Sequence, residues 1–186
     1  SYFNWESVRF AVEREISRNG QIYFLHNDIG SLPFFHKKLS LMFPFLSIGI
    51  AHGKMKTKDL EPTVLSFFAG DIDILLCTTI IESGLDVANA NTIIINNAQN
   101  FGLSQLYQIR GRVGRSPKQA YSLLFVPAGV SINTAAFKRL KAMETYTQLG
   151  SGYDIAQRDL ELRGAGSMFG YEQSGHLSSI GFEMYC

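Results

Sequence analysis

Residues Gln108-Ile109-Arg110-Gly111-Arg112-Val113-Gly114-Arg115 put a glutamine ahead of three arginines, two of them in a Gly-Arg-x-Gly-Arg frame. Arg112 and Arg115 stand three residues apart, so a helix would project both from one face. Each guanidinium is permanently charged and offers a planar fork of donors that matches the oxygens of a phosphate. Gly111 and Gly114 remove side chains beside those forks, so a nucleotide or another backbone can come close. Stabilising the charge that spreads over a transferring phosphoryl group needs this geometry, and one such arginine is worth on the order of 10³–10⁵ in rate. Taken alone, the same arginines fit a solvated basic face or a general nucleic-acid patch equally well.

Other stretches carry weaker signals. Thr78 and Thr79 follow an apolar run and offer hydroxyls and amides to a phosphate; by themselves they are two β-formers ending a strand. Gly84-Leu85-Asp86 adds a close-approach glycine and a carboxylate able to accept from a ribose hydroxyl or hold an arginine. His52-Gly53-Lys54-Met55 sets a titratable donor, a permissive glycine and a cation just past a strand. It suits either a phosphate-backbone grip or a turn without function. Lys138, Arg139 and Lys141 make a basic helix face, and Arg163 and Gln173 sit near glycines further on; read from the residues alone, all five are ordinary surface positions. His26 and His36 read as structural, and no set of His, Cys and acids has metal-ligand spacing. The sequence holds neither a Gly-x-x-x-x-Gly-Lys-Ser/Thr loop for phosphates nor an acidic box for magnesium. Any arginine finger here must therefore complete a site on another domain, expected ahead of Ser1, and the chain reads as a piece of a larger protein.

The elements that would position these residues alternate. Asn4 caps a helix with Trp5, Val8, Val12 and Ile16 at helical spacing, ending at Asn19-Gly20. Gln21 to His26 is a buried strand. Ser31 opens a second helix on Leu32, Phe35, Leu39 and Met42, and Ser47 to Ala51 is a short strand. Thr57 or Lys58 starts a third helix, which runs to Gly70 with Pro62 early in it. Asp73 to Cys77 and Thr92 to Ile95 are strands, Ser104 to Gly114 a helix carrying the arginines, and Ala120 to Val126 a last strand. Such alternation means βαβ units and a parallel sheet covered on both faces, with ligand groups at the carboxyl ends of the strands. After Pro127 the pattern changes to a helical hairpin. Its first helix is capped by Asn133 or Thr134, with Phe137, Leu140 and Met143 on one face; its second runs from Tyr153 to Leu162, before a loop from Gly164 through Gly175.

The 186 residues, 46% of them hydrophobic, suffice for one α/β domain with an appendage. A formal charge of only +1 requires any nucleic-acid contact to come from local patches. Two cysteines give no disulfide framework, no apolar stretch reaches transmembrane length and no signal segment opens the chain, which together favour a cytoplasmic setting.

Thr78-Thr79-Ile80-Ile81-Glu82-Ser83-Gly84-Leu85-Asp86 followed by the arginine frame resembles motifs V and VI of superfamily 2 helicases and translocases, in that order. The resemblance extends over Gly20 to Asn27, Ala51 to Met55, Ala90 to Ile95, Phe101 to Arg115, Asp159-Leu160-Glu161-Leu162-Arg163-Gly164-Ala165-Gly166 and Glu172-Gln173-Ser174-Gly175. In this form it is similar to the bacterial transcription-repair coupling factors: a second RecA-like motor domain over residues 1–130 and a translocation motif over residues 131–186. Ser83, Leu85 and Ala88 are mild departures, where that family often has Thr, Ile and Pro.

The resemblance implies an ATP-driven double-stranded DNA translocase that displaces stalled RNA polymerase and helps recruit excision-repair proteins. ATP and Mg2+ would be held mainly by a first RecA-like motor domain in cis. Arg115 and Arg112 would contact the γ-phosphate and Gln108 would help position water. Gly84 and Asp86 would couple nucleotide to movement, Thr78 and the His52-Gly53 turn would grip DNA, and Arg139, Arg163 and Gln173 would serve the translocation motif. Two alternatives stay open: a branch-migrating helicase of the RecG type, and a non-catalytic nucleic-acid or protein interaction module.

Overall fold

The computed structural model describes residues 1–78, 87, 89–113, 117–129 and 133–145. The sheet grows from β1 (Gln21–His26), whose six residues are all buried. Around it lie β2 (Ile48–Ala51), β3 (Ile74–Cys77), β4 (Ala90–Asn96) and β5 (Tyr121–Leu124). All four pairings are parallel and the order is β2-β3-β1-β4-β5. Parallel strands need helical crossovers, so both faces are covered and the central strands read as continuous apolar runs.

Alternation along the strands sorts the side chains into two cores. Ile22, Phe24, Ile74, Leu76 and Ile94 pack with α1 (Trp5–Ser17) and α2 (Leu32–Met42). Tyr23, Leu25, Leu75, Cys77, Ile93 and Ile95 face α3 (Thr57–Ala69), α4 (Leu103–Arg110) and α5 (Thr134–Thr145). Burial in the second core pushes the Cys77 thiol up to about 12, making it an inert packing group.

Several expected details change, each for a local reason. The helix bearing the arginines ends at Arg110 rather than Gly114: the Gly111 amide still donates to Tyr107 four residues back, but those of Arg112 and Val113 donate to Ile109 and Arg110, three back, a tightening turn instead of a further helical one. Arg112 therefore does not extend a helical face. The first strand position on the far edge is Tyr121, and β5 is shorter than expected because Val126 pairs with Tyr2 at the start of the chain. β4 reaches back to Ala90, further than its apolar run, because Asn91 and Thr92 are also buried.

Helix starts and faces differ too. Ser31 is the N-cap residue of α2, as expected, but without a side-chain cap hydrogen bond; Asp28 caps the 3-10 turn (Ile29–Ser31) that leads into the helix, accepting from the Gly30 amide. In α1 the fully covered positions are Val8, Ala11, Val12 and Glu15, with Trp5 and Ile16 half-buried. In α5 Met143 is buried and Leu140 packs against the core as expected, joined by Ala136 and Ala142, whereas Phe137 is 60% exposed. Pro62 stands inside α3 without breaking it, and α3 stops at Gly70, which takes φ +87°. The expected helix from Tyr153 to Leu162 and the loop after it lie outside the described residues.

Candidate functional site

The strand register lines up the carboxyl edge. Ala51 pairs with Cys77, Cys77 with Leu25, and His26 with Asn96. His52 and Thr78 are therefore consecutive off-strand neighbours, roughly 4.8 Å apart in the strand-to-strand direction. The His52 turn is closed by the Met55 amide donating to the His52 carbonyl at 3.0 Å. Half-buried His52 has a buried Nδ1 with no hydrogen-bond partner among the described residues. A side chain added at Gly53 would meet nothing within 4 Å, so this glycine leaves open space beside the histidine. Lys54 is exposed next to it, whereas Thr78 is buried. A donor, an open backbone and a cation at a strand end suit an anionic backbone. Thr79, Gly84 and Asp86 lie outside the described residues.

His26, read as structural from the sequence, organises the middle of this edge. Its Nε2 lies 2.6 Å from Ser31 Oγ, Ser31 Oγ lies 2.5 Å from Asp28 Oδ2, and Asn96 Nδ2 lies 3.0 Å from His26 Nδ1. The carboxylate can only accept, so Ser31 donates to Asp28 and accepts from His26 Nε2–H, leaving Nδ1 to accept from Asn96. The imidazole is thus neutral and packs at a tilt against the Phe35 ring, centroids 4.3 Å apart. Burial lowers the His26 pKa, with the Asp28 charge opposing, and the Ser31 hydroxyl followed by the Gly30 amide lowers that of Asp28. Nothing in the sequence pattern marks this chain of contacts except Asp28 three residues ahead of Ser31.

The arginine frame sits apart from this edge. After β4 the chain makes a 3-10 turn (Ala98–Asn100), and the Gln105 side chain accepts from the Gly102 amide at 2.9 Å to start α4. β5 is parallel to β4, so α4 must run back toward the amino ends of the strands. It carries exposed Gln108 on one side and buried Leu106 and Ile109 on the other. Arg110 is half-buried with its guanidinium 5.1 Å from the Tyr107 ring centroid, and burial draws its pKa below the ordinary arginine value. Arg112 is half-buried in the turn beyond the helix. The described residues therefore form two groups, His52 with Thr78 at the carboxyl edge and Gln108 with Arg112 along the returning helix. Arg115 lies outside the described residues.

Helix α5 packs beside α4 and the turn that precedes it. Arg139 Nη2 donates to the Gln99 carbonyl at 3.2 Å, pinning α5 to the turn that precedes α4. Ala142 and Met143 share one apolar cluster with Leu103, Leu106 and Ile109. Arg163 and Gln173 lie outside the described residues. Among the described residues no group of three or more His, Cys, Asp and Glu could hold a metal ion. Among them, too, no helix is long and apolar enough to cross a membrane.

A family model described as Helicase conserved C-terminal domain matches residues 7–117. The chain belongs to this helicase family. That match covers β1 to β4 and the arginine frame and stops short of β5. The chain is also 49% identical over 178 residues to a protein from Myxococcus xanthus named Transcription-repair-coupling factor, covering 96% of this chain and 15% of the relative. A protein of the same name from Staphylococcus epidermidis is 48% identical over 182 residues, covering 98% and 16%. The chain thus spans only about one sixth of the length of these relatives.

Among solved structures, RecG bound to a three-way DNA junction matches with TM-score 0.73 and 36% identity over 88% of this chain and 21% of that one. Domain 2 of the DEAD-box helicase Mss116p bound to an RNA duplex matches with TM-score 0.58 and 21% identity, over 84% and 64%, a likeness of fold alone. The expected parallel α/β sheet with helices on both faces is the fold these helicase domains share with this chain.

Proposed function

We propose that this chain is the second RecA-like motor domain, over residues 1–130, with the translocation motif, over residues 131–186, of an ATP-driven double-stranded DNA translocase. In this reading the whole protein displaces stalled RNA polymerase and couples transcription to excision repair in the cytoplasm. The observation that carries it is the identity of nearly half the residues, along almost the entire chain, to transcription-repair coupling factors.

The first motor domain binds ATP with Mg2+, which neutralises phosphate charge, and this domain completes the site from Arg115 and Arg112, with Gln108 helping to position the attacking water. The cleft closes because fixed cationic donors stabilise charge on the transferring group. Gly84 and Asp86 couple the nucleotide to movement, and the His52-Gly53 turn and Thr78 hold the DNA backbone. Arg139 supports a relay, since it ties α5 to the turn ahead of the Gln108 helix; Arg163 and Gln173 complete the motif. The isolated chain, with no phosphate loop of its own, is inactive until the first motor domain is supplied. In the intact protein, Arg115→Ala is expected to abolish DNA-stimulated ATP turnover while leaving DNA binding nearly unchanged. Equal loss of both would remove Arg115 from the chemistry.

The 36% identity to RecG supports a second reading, a branch-migrating helicase. Fork regression by the intact protein without release of a stalled polymerase would select it.

A further inference from the structure

At the amino edge of the sheet, the contacts converge where the chain returns from both motif segments. Asn89 closes the stretch that follows residues 79–86, and Lys118 closes the stretch that follows residues 114–116. Lys118 Nζ donates to the Arg18 carbonyl at 2.7 Å and reaches Asn89 Oδ1 at 3.5 Å. Asn89 Nδ2 donates to the Asn19 carbonyl at 2.8 Å, and the Gln21 amide donates to the Asn89 carbonyl at 2.9 Å. One ammonium therefore joins the last carbonyls of α1 to the start of β4, a placement that the negative end of the α1 dipole favours.

The anchor is itself fixed from below. Glu15, fully buried, binds Arg18 Nη2 at 2.5 Å and accepts from the Thr92 hydroxyl. Tyr121, the first residue of β5, lies under the guanidinium of Arg14 at 3.3 Å and that of Arg18 at 5.0 Å. Within the arginine stretch, on either side of Arg110 and Arg112, Ile109 and Val113 are buried. Val113 by burial and Lys118 by its hydrogen bonds are thus both fixed, one on each side of residues 114–116.

We infer that Lys118 is a positioning residue for the arginine frame. Its ammonium fixes the chain just after the arginine frame against the end of α1 and holds Asn89, just ahead of β4, on the same anchor. The inference rests on the reading that Arg115 and Arg112 act on ATP. A finger must meet the phosphoryl group within a fraction of an ångström, and a misplacement of about 1 Å can cost on the order of 10²-fold in rate.

The test uses the intact protein with Lys118→Met, which keeps length but removes the charge, Lys118→Arg, which keeps donors for both oxygens, and Arg115→Ala. Lys118→Met is expected to lower kcat for DNA-stimulated ATP hydrolysis by about ten- to a hundredfold, with KM for ATP little changed. Lys118→Arg retains most of the rate. Amide exchange over residues 111–120 quickens in Lys118→Met while β1 and β4 keep their protection. Wild-type kcat in Lys118→Met beside an inactive Arg115→Ala would overturn the positioning role alone. So would equal rate loss in Lys118→Arg with protection lost throughout the sheet, which marks a merely structural residue. An active Arg115→Ala would instead bring down the arginine-frame reading on which the inference stands.

Discussion

Gly20 owes its place to Glu15 rather than to an unusual backbone angle. The left-handed residue at the end of α1 is Asn19, at φ 57°, whereas a side-chain carbon at Gly20 would fall 1.7 Å from Glu15 Oε1. Gly20→Ala must push the buried carboxylate off Thr92 and Arg18, and overpacking of this kind costs about 1–3 kcal/mol. A urea titration of this chain followed by the fluorescence of its single tryptophan, Trp5, would read that loss, and an unchanged midpoint would contradict the packing of Glu15.

His26 makes a second residue-scale prediction. Its folded pKa is depressed by burial, so the unfolded chain takes up the proton more readily in mildly acid solution. The stability it contributes is present above the ordinary histidine value of about 6.5 and is lost as pH falls through the lower folded value. The urea midpoint should drop between neutral pH and about pH 5, and less so in His26→Gln; identical slopes in the two proteins would remove His26 as the source.

At the scale of elements, α5 is seated by few side chains. Met143 is 4% exposed and belongs to the cluster that holds α4. Met143→Ala is expected to cost about 2–5 kcal/mol in this packing. The loss should appear as faster amide exchange in α5, with β1 and β4 unchanged; loss spread evenly over the sheet would show that α5 is not a separately seated element. Elements of this kind were legible in the sequence to different depths. The apolar runs from Gln21 to His26 and from Asp73 to Cys77 announce buried parallel strands, because both of their faces are covered. The end of α4 was not legible, since Gly111 to Val113 can continue a helix or tighten into a turn, and tertiary burial of Val113 decides. The exposure of Phe137 in α5 was hidden for a related reason: small Ala136 and Ala142 join Met143 in the packing, and Phe137 does not. The arginine frame and the His52 turn could be read from residue types. Lys118, Asn89 and the His26 relay could not, because each depends on residues brought together from distant positions.

For the whole molecule, the proposed function separates force generation from its use: Arg115 would act on the nucleotide, and Arg163 would belong to the path that turns closure into movement along DNA. Arg163→Ala in the intact protein should keep substantial ATPase and lose displacement of an obstacle; normal displacement would take Arg163 out of that path. Arg139 fits the same path through its hold on Gln99. The central claim concerns what the motor moves against, and one measurement addresses it most directly: release of a stalled RNA polymerase from duplex DNA by the full-length protein, with hydrolysable and non-hydrolysable ATP. The account predicts release only with hydrolysable ATP. No release under conditions where the same preparation hydrolyses ATP on DNA would contradict it.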